Sequence, residues 1–171
     1  MKKVLILTSE KEFLKEFKLD NVDVRIADIV PDRTDDTDLI VLYRFTSHVD
    51  KLLKGNSVIR CHESLLPSFN TDTPIKDAFI SGVKVTGVTV HWVENNDLTG
   101  KIIAQYPVII DNYTHYEQLV SEIENLSKRL LPIVIKSIVT DTVFDIVDLL
   151  YENKPNSCGN GCGSCKNCHK Q

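Results

Sequence analysis

Two short, continuous apolar runs, Val4–Leu7 and Leu39–Leu42, constrain the fold of this chain more than any other feature. A run of four large apolar residues has no polar face, so a strand built from it must be covered on both sides. Such strands are typical of parallel sheets that carry helices on both faces. The sequence therefore predicts a three-layer α/β domain with Leu39–Leu42 as a central parallel strand.

The remaining segments alternate between strand and helix patterns. Beyond the two apolar runs, the predicted elements are a helix at 12–17, an edge strand at 22–26, a short helix at 48–53, a helix at 74–81 that Gly82 ends, strands at 88–93 and 102–110, and a long helix after 114. Thr114 and Glu117 have the spacing of a capping box for that last helix. Because ligands bind at the carboxyl ends of parallel strands, His62, which follows an apolar strand, is a candidate site residue.

Three segments around His62 carry a recognisable pattern. They read RCHESLLPSF at 60–69, GVKVTGVTVH at 82–91 and GKIIAQ at 100–105. Together they resemble the catalytic core of the folate-dependent formyltransferases, nearest to the glycinamide ribonucleotide formyltransferases of purine synthesis. The resemblance covers about half of the chain. It implies a formyltransferase-like fold with a mostly parallel sheet, shortened in the N-terminal half, and transfer of a formyl group from 10-formyltetrahydrofolate to an amine.

The resemblance also implies the catalytic residues. In this family an Asn, a His and a later Asp act together, and the Asp keeps the His protonated as a donor to the oxyanion. His62 matches the His, Arg60 stands in place of the Asn, and Leu98 falls on the Asp position with Asp97 beside it. We expect Asp97 to reach His62 if Leu98 and its neighbour bulge outward. Arg60 is a permanently charged donor, suited to replace the Asn or to hold a substrate.

The family binds folate through a loop that corresponds to the segment after Leu39–Leu42. The resemblance assigns cofactor binding to Leu42, Arg44 and Phe45 at this loop and to His91 in the later segment. For Arg44, a solvated surface position is an equal alternative. The family also has a glycine-rich phosphate-binding turn after its first strand, whereas residues 8–12 here contain no glycine and two glutamates. That difference argues against glycinamide ribonucleotide as the acceptor.

Four cysteines lie close together near the end of the chain, at Cys158, Cys162, Cys165 and Cys168. Their C-x3-C-x2-C-x2-C spacing suits a single metal centre, either an iron–sulfur cluster or zinc. The alternative without metal is an unstructured tail with free thiols. We therefore expect a formyltransferase-like domain at 1–152 and a cysteine-rich metal-binding tail at 153–171.

Composition limits the partners. The net charge of −4 gives no basic excess for nucleic acid, so the expected partners are a small-molecule folate and an amine acceptor. No apolar run approaches the ~20 residues that cross a bilayer, and no signal peptide is recognisable, so we expect no membrane partner and a cytoplasmic location.

Two functions remain open at this point. The first is a one-carbon transfer enzyme, favoured by the intact His62 and the SLLP segment that follows it. The second is a non-enzymatic or redox-sensing module that keeps the fold and uses the tail, favoured by Arg60 and Leu98.

Overall fold

The computed structural model describes residues 1–10, 19–47 and 49–143. Its elements in chain order are β1 (Lys2–Thr8), β2 (Val22–Ala27), β3 (Leu39–Tyr43), α1 (Val49–Leu52), β4 (Val58–His62), α2 (Pro74–Ser81), β5 (Val85–Trp92), β6 (Ile102–Ile109) and α3 (Tyr116–Thr140). The helix expected at 12–17 and the cysteine tail lie outside these ranges. Within them, no helix is both long and apolar enough to cross a bilayer.

All six described strands form one sheet in the order β2-β1-β3-β4-β5-β6. The strands from β2 to β4 run parallel, and β5 and β6 are added antiparallel. Every residue of β3 is buried. The predicted mostly parallel sheet is therefore confirmed, with β3 inside the sheet and β2 at its edge.

Both faces of the sheet are covered, as the apolar runs require. Val4 and Ile6 of β1 pack in the core beneath α3, whereas Leu5 and Leu7 pack in the opposite core with Leu52 of α1. Because successive side chains of a strand point to opposite faces, four consecutive apolar residues place two side chains in each of the two cores. This alternation accounts for the three-layer arrangement.

Helix α2 confirms its prediction, since it begins at Pro74 and ends at Gly82 in the left-handed conformation. The predicted capping box of α3 is wrong. The helix is preceded by His115 without a side-chain capping bond. The Thr114 hydroxyl instead donates to Asp111 Oδ1 at 2.9 Å, because that carboxylate lies in the same turn. The helix then continues through Pro132 to its end.

Candidate functional site

A cleft of about 580 Å³ opens where β3 and β4 end. Its walls contain Arg60 and His62 of β4, Arg44 and Glu63 just beyond the strand ends, and residues 71–76 at the start of α2. Parallel strands end at the same edge of a sheet, so side chains from separate segments meet there. The cleft thus brings together three residues that the sequence singled out, Arg44, Arg60 and His62.

His62 is the last residue of β4 and is 2% exposed. Its Nε2 lies 3.1 Å from the carbonyl oxygen of Phe69. Because a carbonyl only accepts, Nε2 carries the proton of the neutral ring. Burial, assisted by the positive charge of Arg60, lowers the pKa of His62 to about 4, against the opposing effect of the Phe69 bond. His62 is therefore neutral at pH 7, and its Nδ1 holds a lone pair.

The loop at 64–69, which returns to His62, is fixed by two motif residues on β5 and β6. The Thr89 hydroxyl donates to the Ser64 carbonyl at 2.7 Å and accepts from the Leu66 amide at 3.0 Å. Gln105 Nε2 donates to the Leu66 carbonyl at 2.8 Å and to Thr89 Oγ1 at 3.0 Å. These bonds satisfy buried polar groups and hold the loop in place.

Two further motif features have a structural role in the same region. A Cβ atom at Gly87 would lie 2.1 Å from the Tyr106 carbonyl oxygen, so only glycine permits this close approach of β5 and β6. The Leu66–Pro67 peptide bond in the same loop is cis. Much of the motif therefore builds the support around His62.

Arg60 stands on the same face of β4 as His62. It is in register with Leu42 on β3 and with His91 on β5. Its half-buried guanidinium forms neither a hydrogen bond nor an ion pair with any residue that the structure describes. Burial lowers the pKa of the guanidinium, opposed chiefly by the attraction of Asp72. Arg60 nevertheless stays charged at pH 7.

All three guanidinium nitrogens of Arg44, just after β3, donate hydrogen bonds. Its Nε and Nη2 donate to the Glu63 carboxylate at distances of 2.7–3.1 Å, and its Nη1 donates to Glu124 Oε1 at 2.9 Å. Glu10 Oε1 lies 3.6 Å from Nη1, and the Tyr43 hydroxyl adds a 3.2 Å bond to Glu63. This network joins the ends of β3 and β4 to α3.

The network around Arg44 was not predicted from the sequence. The one available signal in the sequence was Glu63, a charged residue directly after His62. Glu124, on a helix eighty positions after Arg44, gave no signal at all.

The other residues expected to bind folate are packed inside the protein. Leu42 is 0% exposed and Phe45 is 8% exposed, and both belong to the core on the α1 side of the sheet. His91 is 1% exposed, and its Nδ1 donates to the Trp92 carbonyl at 2.9 Å. Its Nε2 has no hydrogen-bond partner in the described part of the chain. Burial also lowers the pKa of His91. Direct folate contacts by these side chains stay a prediction.

The structure does not bring Asp97 to His62, which corrects the expected contact. Asp97 is exposed and accepts from the amide and the hydroxyl of Thr99 at 3.2 and 2.6 Å. Leu98 does not bulge outward. Its side chain packs against the core on the α1 side, and the backbone turns there with a φ of 62°. The apolar side chain of Leu98 thus takes the inward position, so a catalytic role for Asp97 rests on sequence alone.

A cleft at the carboxyl ends of parallel strands is where α/β proteins bind small ligands, and comparison of sequences identifies the family of this chain. Residues 34–135 match the sequence profile of the family described as formyl transferase. The chain belongs to this family.

Relatives with stated activities fall into two groups. Phosphoribosylglycinamide formyltransferase of Bacillus subtilis is 37% identical over 110 residues, which are 63% of this chain and 56% of that protein. Mitochondrial formyltetrahydrofolate deformylase 1 of Arabidopsis thaliana is 38% identical over 105 residues, which are 60% of this chain and 32% of that protein. The chain therefore matches between a third and just over half of the length of these relatives.

Solved structures agree on the fold. Phosphoribosylglycinamide formyltransferase of Campylobacter jejuni superimposes with a TM-score of 0.63 at 23% identity, over 81% of this chain and 97% of that one. A formyltetrahydrofolate deformylase of Pseudomonas syringae superimposes with a TM-score of 0.67 at 22% identity, over 84% of this chain and 66% of that one. The expected formyltransferase-like fold is thus confirmed.

Proposed function

We propose that the cleft catalyses transfer of a formyl group from 10-formyltetrahydrofolate to an amine. The observation that carries this proposal is His62, a buried neutral imidazole in the cleft of a formyl transferase domain, with Nε2 fixed on Phe69. A ring held in this way offers the lone pair of Nδ1 to a proton. Family membership favours this enzymatic reading over a non-catalytic binding module.

In the proposed reaction the amine nitrogen attacks the formyl carbon and forms a tetrahedral oxyanion. The new C–N bond is retained, the bond from the formyl carbon to the folate nitrogen breaks, and one proton moves from the amine to that nitrogen. His62 Nδ1 would accept this proton and return it to the leaving nitrogen. Arg60 has no acceptor atom, so its part is to stabilise negative charge, either the oxyanion or an anionic group of a substrate.

The remaining candidate residues take indirect roles in this proposal. Leu42, Phe45 and His91 would shape the folate side of the cleft from the core beneath it, which their burial supports. Arg44 would hold the cleft wall through Glu63 rather than contact folate. Asp97 stays a catalytic candidate only if the loop that carries it rearranges when substrate binds.

Hydrolysis of the formyl group, with water in place of the amine, is a second candidate. Two observations favour it, namely the similarity to deformylases and the absence of glycine from the sequence of residues 8–12. In that reaction His62 would take the proton from water, and the products would be formate and tetrahydrofolate.

One assay tests both reactions. The full chain is incubated with 10-formyltetrahydrofolate, with and without an amine, and tetrahydrofolate, formate and N-formyl product are measured separately. We expect His62→Ala to abolish turnover. The matched control His115→Ala should leave it unchanged, because that side chain is exposed and forms no capping bond. Wild-type protein that releases no tetrahydrofolate under any of these conditions would refute the proposal.

We also propose that the segment 153–171 is a tail distinct from the domain at 1–152, in which Cys158, Cys162, Cys165 and Cys168 bind one iron–sulfur cluster or zinc ion. The support is their spacing alone. Among the residues that the structure describes, no group of three or more His, Cys, Asp or Glu side chains could hold a metal ion. A cytoplasmic location likewise stays a prediction from the sequence.

Metal analysis of anaerobically purified protein tests the tail. We expect near-stoichiometric iron and sulfide, or zinc, in the wild type, and loss of the metal in the double variant Cys162→Ser, Cys165→Ser. The control Cys61→Ala should keep the metal, because Cys61 is buried in the core of the domain. Metal-free wild-type protein with four freely titrating thiols in the tail would refute the proposed metal site.

A further inference from the structure

Arg60 is a charged group without a counter-charge in contact. The neighbours in register with it are the apolar Leu42 and the imidazole of His91, which is uncharged at pH 7. His62, two residues further along, is also neutral. None of these groups can compensate the guanidinium, which is partly withdrawn from water.

The carboxylates of the cleft do not compensate it either. Glu63 is already bonded to Arg44 and Tyr43. Asp72 attracts Arg60 from the loop before α2, yet the two form no ion pair in the described structure. A partly desolvated cation without a partner is costly, and an anion that reaches it recovers that cost.

The position of Arg60 also favours an incoming anion. The guanidinium lines the open cleft, and its planar fork of donors matches a carboxylate or a phosphate in a two-pronged arrangement. The loop at 71–73 and the first turn of α2 also line the cleft and contribute Asp72, which attracts Arg60, and the cation Lys76. Glu63 and Glu10 lie 2.7 and 3.6 Å from the guanidinium nitrogens of Arg44, so Arg60 is the arginine of the cleft that is left open to an anion.

We propose that Arg60 forms an anion subsite in the cleft and receives the carboxylate or phosphate group of the formyl acceptor. The identity of the anion as part of an acceptor rests on the proposed function, whereas anion binding itself does not. The acceptor is accordingly a small amine that also carries an acidic group. This assignment separates Arg60, which contacts the substrate, from Arg44, which supports the cleft wall.

Titration of the full chain with inorganic phosphate and, separately, with acetate tests the subsite without folate. We expect saturable binding of at least one anion by calorimetry, and the preferred anion distinguishes a phosphate group from a carboxylate. Arg60→Gln should weaken that binding at least tenfold, and Arg60→Lys should restore part of it. The control Arg25→Gln, at an exposed position of β2, should bind like the wild type. Absence of binding to the wild type, or unchanged binding to Arg60→Gln, would overturn the proposal.

Kinetics with a carboxylate-bearing or phosphate-bearing amine separates this proposal from the proposed function. We expect Arg60→Gln to raise the KM for such an amine at least tenfold, with a smaller change in kcat. A fall in kcat at unchanged KM would assign Arg60 to the oxyanion and overturn the subsite. Anion binding in a wild-type protein that transfers no formyl group would leave the subsite standing and refute the proposed function alone.

Discussion

Arg44, just after β3, and Arg60, on the neighbouring parallel strand β4, line one cleft, but their charges have opposite surroundings. Arg44 donates to Glu63 and Glu124, with Glu10 close by. Arg60 has no bonded partner among the described residues. An arginine whose guanidinium nitrogens all form hydrogen bonds stabilises the fold, whereas an arginine without such bonds is available to a ligand. Arginine therefore has a structural role just after β3 and, in the subsite that we propose, a binding role on β4.

The largest expected effect is on the engaged arginine. Arg44→Met leaves the Glu63 carboxylate buried without its cation, which should lower the free energy of unfolding by about 3–5 kcal/mol. Denaturant unfolding measures the change. Arg25→Met, at an exposed position of β2, is the matched control and should stay within about 0.5 kcal/mol of the wild type. A loss of under about 1 kcal/mol in Arg44→Met would mean that the network is not structural.

The second expected effect is a dependence of the free energy of unfolding on pH through His62. The pKa of His62 is about 4 in the folded chain and ~6.5 when unfolded, so the folded state binds fewer protons between these values. Its contribution to stability is complete above pH 6.5 and is lost as the pH falls toward 4. Between pH 7 and 4.5 the wild type should lose about 2–3 kcal/mol more than His62→Gln. Equal losses in the two proteins would contradict the lowered pKa.

The smallest expected effect is that of Arg60→Leu, which should stabilise the protein, whereas Arg44→Met should destabilise it. Arg60→Leu removes a partly buried, unpaired charge and places an apolar side chain next to Leu42, so the free energy of unfolding should rise by about 1 kcal/mol. The same denaturant series measures it. Destabilisation comparable to that of Arg44→Met would show that Arg60 has a structural partner, and the contrast between the two arginines would fail.

The sequence was sufficient where local pattern decides the structure. Four-residue apolar runs identified β1 and β3, because only a strand covered on both faces tolerates them. Pro74 and Gly82 marked the ends of α2, since each suits one backbone conformation. The motif predicted His62 at the end of a strand, and His62 is the last residue of β4.

The sequence was insufficient where distant groups compete for one partner. Thr114 was expected to cap α3, but Asp111 holds its hydroxyl. Asp97 was expected near His62, but the inward packing of Leu98 directs its loop elsewhere. Arg44 was assigned to folate or solvent, because pairing with Glu124 depends on the tertiary fold. Such choices are settled by packing, which spacing along the chain does not encode.

Arg60, and not Arg44, is the arginine that we propose to be open to an anionic substrate. The most direct test follows the side-chain Nε–H resonances of both arginines by NMR while phosphate or acetate is added to the full chain. We expect the Arg60 resonance to shift and saturate with at least one anion while the Arg44 resonance stays in place. A shift of Arg44 alone, or of neither arginine with either anion, would contradict it.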